Sequence, residues 1–112
     1  MRLLSGSVDE AFETGSYKTY SMHRTSHWLG LDVHDVGSYT VASQPRPLEP
    51  GMVFTVEPGL YVAPHNDAAG AAFRGIGVRI EDDVVITPDG YENLNSAIPK
   101  APEEVEAWVR GD

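Results

Sequence analysis

The stretch SHWLGLDVHDVG, residues 26–37, gathers His27, Asp32, His34 and Asp35 among bulky apolar side chains and two glycines. His23 lies just upstream, so three of the chain's four histidines fall within twelve residues. Two later segments set carboxylates in apolar surroundings: Glu57 in TVEPG and Glu81 in VRIEDD. An imidazole joined by carboxylates suits the inner shell of a first-row divalent metal such as manganese, iron, cobalt or zinc. Histidines outside that shell can move protons or hold a developing oxyanion. The chemistry these residue types allow is metal-assisted hydrolysis. His23 and His27 are four apart, but Tyr20, Trp28, Gly30 and Val33 speak against a helix, so this is not a helical His-x-x-x-His pair. His65 lies in a small-residue loop and reads as solvent-exposed.

Positioning such groups requires particular elements. In MVFTVEPGLYV, residues 52–62, β-branched and aromatic residues predict a strand broken at Pro58-Gly59. Alternation puts Thr55 and Glu57 on one face, with Phe54 and Val56 on the other. Residues 76–94 read as two β runs around Asp82-Asp83, ending in a Pro-Asp-Gly turn. There Arg79 and Glu81 share a face opposite Val78 and Ile80. By pattern alone, Glu57 also suits a solvated strand face, and Arg79 with Glu81 a surface pair worth a fraction of a kcal/mol. Residues 8–13 predict a helix stopped by Gly15, with no clear cap at its start, and YKTYSMH, residues 17–23, a strand or extended lead-in. Residues 45–52 form a proline-rich linker ending in a Pro-Gly turn, and residues 63–75 a loop. Residues 101–110 predict a C-terminal helix, with Pro102 at its start and acids in its first turn. The class is α+β with a mostly antiparallel sheet.

Composition bounds the partners. The 112 residues carry 17 Asp and Glu against 8 Lys and Arg, a net charge of −9. That argues against nucleic acid or an anionic membrane, both of which reward clustered cations. Cysteine is absent, which excludes disulfides and thiolate metal sites. The opening apolar run is too short for a signal peptide, and no run is long enough to span a membrane. The expectation is a cytoplasmic protein.

Three segments, MHRTSHWLGLDVHDVG, LEPGMVFTVEPGLYV and RGIGVRIEDDVVITPDGYENL, resemble the C-terminal part of the Xaa-Pro aminopeptidase (aminopeptidase P) family. These are metallopeptidases of the pita-bread fold, akin to prolidase and methionine aminopeptidase. The resemblance runs from about Leu3 to the C-terminus. It implies that residues 1–112 form the C-terminal half of such a catalytic domain, a mostly antiparallel curved sheet with flanking helices. It further implies that His27 is a metal ligand, that Glu57 is a ligand that also shuttles protons, and that Glu81 bridges two metals. His23 and His34 match histidines that contact substrate or stabilise the tetrahedral intermediate, and Arg79 an arginine that orders the carboxylates. The family metal is usually manganese or cobalt, sometimes zinc, and the substrate is a peptide with proline second. Asp32 and Asp35 are expected to brace their turn, and the two glycines to allow close backbone approach.

The family's dinuclear site also uses two aspartates that lie many tens of residues upstream of its histidine. Here only 26 residues precede His27, and Asp9, the one aspartate among them, lacks that context. The expectation is therefore an incomplete site with weak single-metal binding and no activity of the chain alone. A homo-oligomer or an absent N-terminal half is the expected partner. Prolidase shares segments like GLDVHD and TVEPG, but the run HWLGLDVHDVG points to the aminopeptidase. A non-catalytic remnant serving as a binding or assembly module is the reading from another class.

Overall fold

The computed structural model describes residues 3–112. Its elements run α1 (Val8–Thr14), a 3₁₀ turn (Ser16–Thr19), β1 (Thr40–Val41), β2 (Gln44–Pro45), β3 (Val53–Val56) and β4 (Gly59–Tyr61). A second 3₁₀ turn (Ala71–Phe73), β5 (Gly77–Arg79), β6 (Asp82–Thr87), β7 (Gly90–Asn93) and α2 (Pro102–Arg110) follow. All strand pairings are antiparallel, as expected. The chain divides into two units, one of residues 1–25 with 58–79, the other of residues 26–57 with 80–112.

In the first unit, β4 pairs with β5. Tyr20, Val62 and Ala69 form its buried cluster, with Leu3 and Leu4 packed against it. The helix start does have a cap. Ser7 accepts from the Glu10 amide and Glu10 reaches back to the Ser7 amide, a capping box that settles two otherwise orphaned donors. Residues 17–23 are not a strand. Gly15 turns the chain at φ 70°, and the Tyr20 and Ser21 amides both bond the Tyr17 carbonyl, so local turns take the groups a ladder needs. His65 is exposed, as expected.

In the second unit, β3, β6 and β7 form a three-stranded sheet, and β1 pairs with β2. The break after β3 at Pro58 falls where proline denies a ladder donor. The second break was placed too late by the sequence reading. It falls at Ile80-Glu81, while Asp82 and Asp83 lie inside β6 and Pro88-Asp89 turn the chain into β7. The β1–β2 hairpin was not foreseen. Its turn residues Ala42 and Ser43 hold φ of 50° and 64° without the glycine or asparagine that normally announces such a turn. The C-terminal helix forms where expected, with Pro at its first turn and Gly111 left-handed at its end. Among the described residues, no helix is long and apolar enough to cross a membrane.

Candidate metal centre

The site begins with the register of β3 against β6, which pairs Thr55 with Asp83 and Val56 with Asp82. Carried one residue further, that register sets Glu57 opposite Glu81. Two carboxylates directly across a ladder repel each other, and a cation between them removes the penalty. His27 reaches them along the other edge of β3. Trp28 bridges Phe54, the Leu29 amide donates to the Val53 carbonyl at 3.1 Å, and the Thr55 amide donates to the His27 carbonyl at 3.0 Å. One nitrogen of His27 and one oxygen each of Glu57 and Glu81 then lie within 4.8 Å of one another.

The imidazole is oriented from behind. His27 Nδ1 lies 3.0 Å from the Trp28 carbonyl oxygen, a group that only accepts, so Nδ1 carries the proton and donates. In the neutral ring this turns the Nε2 lone pair toward Glu57 Oε1, 3.1 Å away. Two electron-rich atoms at that distance need a cation, either a proton on the ring or a metal. An imidazole whose far nitrogen is tied to a carbonyl is the usual outer support of a metal-ligating histidine. The side chains of His27 and Glu57 are 17% and 12% exposed, sheltered but reachable. The donor set of one nitrogen and two carboxylates fits a divalent first-row ion.

The other expected site residues are placed as follows. His34 is exposed, and its ring stands edge-on to His27 with centroids 4.5 Å apart. His23 and Arg79 lie in the first unit. His23 Nε2 is 2.9 Å from the Tyr61 hydroxyl, and Arg79 ends β5 opposite Gly59. Gly59 has no room for a side chain, because a Cβ there would strike both Tyr61 and His23. In the histidine segment, Asp35 accepts the Val36 amide at 2.9 Å and the Asp32 carbonyl accepts the Gly30 amide at 3.2 Å. The Asp35 side chain braces the turn, Asp32 contributes its backbone carbonyl, and a Cβ on Gly30 would collide with the Asp35 carboxylate.

Two contributors escaped the sequence reading. Thr55, 1% exposed, links the histidine segment to Glu57 through its hydroxyl. Lys100 Nζ lies 2.9 Å from Asp82 Oδ1, next to Glu81 in the chain, and also bonds the carbonyls of Asn95 and Ile98. Its hydrogen bond holds the Asp82 carboxyl below the ordinary carboxylate range. Alternation could have flagged Thr55, which shares the Glu57 face. Nothing in the spacing announces a lysine eighteen residues away.

An antiparallel sheet brings an imidazole and two carboxylates together at one strand break, the donor set a metal-binding protein presents to a divalent ion. The sequence profile of Metallopeptidase family M24 matches residues 2–88, and the chain belongs to that family. Xaa-Pro aminopeptidase of Escherichia coli K12 is 55% identical over 96% of this chain and 24% of its own length. The aminopeptidase PepP of Pseudomonas aeruginosa superposes with a TM-score of 0.92 at 54% identity, covering 97% of this chain and 25% of that one. Two E. coli aminopeptidase P structures, one with the inhibitor Pro-Leu and one zinc-substituted with product, each give 0.87 at 53% identity. Each covers 97% of this chain and 24% of theirs. The fold is thus part of the pita-bread architecture, and the chain spans about a quarter of the length of these relatives.

Proposed function

We propose that residues 1–112 are part of the catalytic domain of a metal-dependent aminopeptidase that releases an N-terminal residue preceding proline. The observation that carries this reading is the convergence of His27, Glu57 and Glu81 within 4.8 Å in a chain of this metallopeptidase family. The names of the relatives support the substrate, a peptide with proline second. The reading takes manganese as the native metal, with cobalt or zinc as substitutes, and the zinc-substituted relative supports that tolerance. The cytoplasm is the proposed location. A polypeptide segment outside this sequence supplies the aspartates that complete a two-metal site.

His27, Glu57 and Glu81 hold the metal. When bound, it supplies Lewis acidity that polarises the scissile carbonyl and makes water easier to deprotonate. Glu57 accepts the proton of the attacking water and passes it to the proline nitrogen as that nitrogen leaves. His34 donates a ring N–H to the carbonyl oxygen as charge builds there.

Joined to the segment carrying the two aspartates and loaded with Mn²⁺, the protein should cleave a tripeptide with proline second and spare an Xaa-Pro dipeptide. The isolated chain should cleave neither. Preference for the dipeptide would replace this reading with prolidase chemistry.

A further inference from the structure

Thr55 is the most buried large polar side chain among the described residues, and its hydroxyl is fully engaged. Its oxygen accepts the His27 amide at 3.0 Å. Its single proton points to Glu57 Oε1 at 3.1 Å. The same residue's amide donates to the His27 carbonyl at 3.0 Å. One side chain thus ties the segment carrying His27 to the one carrying Glu57, two of the three that carry the proposed ligands. It does so from within β3, which is paired with β6 on one side and with residues 27–29 on the other.

From these contacts we propose that Thr55 is the positioning residue of the metal centre, its hydroxyl holding His27 and Glu57 in ligating register. The inference rests on the metal reading for its purpose but not for its geometry. The hydroxyl has one proton. With the His27 amide occupying a lone pair, that proton goes to the carboxylate, so both bonds form together or neither forms well. A bond to an ionised acceptor is the stronger kind, and here it fixes which way the Glu57 carboxylate faces. Valine fills the same space but can neither accept the amide nor restrain the carboxylate. Serine keeps both bonds and loses only a methyl.

The test compares Thr55→Val and Thr55→Ser with the unsubstituted chain by Mn²⁺ and Zn²⁺ titration calorimetry and by amide hydrogen exchange at His27. Thr55→Val should weaken metal binding by roughly 10–100-fold, the range for losing an outer support of a ligand. It should also speed exchange of the His27 amide on the order of tenfold, about one hydrogen bond's worth. Thr55→Ser should restore both to within a few-fold. If Thr55→Val does not fold, Thr55→Ala against Thr55→Ser makes the same comparison, since both lack the methyl and only serine keeps the hydroxyl. Variants without the hydroxyl that bind metal as tightly as the unsubstituted chain would overturn the proposal, as would an unchanged His27 amide. If even the unsubstituted chain binds neither ion while His27 exchange still follows the hydroxyl, the metal reading fails and the clamp stands.

Discussion

His27 and His34 touch ring to ring, yet their roles are separable. His27 is held by the Trp28 carbonyl and faces Glu57, the position of a ligand. His34 is exposed beside it, as its proposed substrate-side role requires. In an enzyme completed by the two aspartates, His34→Ala should lower kcat on the order of 10²–10³-fold, the cost of one oxyanion donor, with metal content unchanged. An interaction made mainly in the transition state leaves substrate binding less affected. His27→Ala should lose metal and activity together. Metal analysis beside steady-state kinetics separates the two, and a His34→Ala enzyme stripped of metal would reverse the assignment. Residue types and strand parity made His27, Glu57 and Glu81 legible as candidates, because a carboxylate in an apolar β run is conspicuous. The tautomer of His27 was not legible, because it depends on a carbonyl whose direction only the fold sets.

At the scale of elements, the pairing of β3 with β6 brings the carboxylates together, and Lys100 fastens the end of β6 to the segment before α2. Asp82 has its carboxyl pKa lowered, chiefly by the Lys100 hydrogen bond. A depressed carboxylate pKa contributes stability above the unfolded value, near 3.9, and loses it as pH falls through the folded value. Lys100→Met should therefore lower Tm most near neutral pH. The gap to the unsubstituted chain should narrow below about pH 4, keeping only the part due to the two carbonyl bonds. Thermal denaturation from pH 7 to pH 2.5 checks this, and a gap that widens toward low pH contradicts it. The strands on either side of Pro58-Gly59 and the C-terminal helix were legible because proline, glycine and alternation act locally. The Tyr17–His23 segment was misread because aromatic alternation resembles a strand, whereas Gly15 and the Tyr17 carbonyl had already turned the chain. The β1–β2 hairpin was invisible because Ala42 and Ser43 occupy a left-handed turn with no local reason to do so.

For the whole molecule, a site with two facing carboxylates accords with the proposed divalent cation, and the acidic excess suits a solvated surface. Leu31, Val36 and Val109 are among the large apolar side chains left strongly exposed, surface that suits further polypeptide in a larger assembly. The chain's match to about a quarter of its relatives' length accords with that. The central claim is that His27, Glu57 and Glu81 bind one ion together. Anomalous diffraction from crystals of the chain soaked in zinc tests it most directly. The account expects a peak about 2.0–2.2 Å from His27 Nε2 and from one carboxylate oxygen of each glutamate, the bond lengths of such ligands. Zinc bound elsewhere, or bound without His27 or either glutamate, would contradict it.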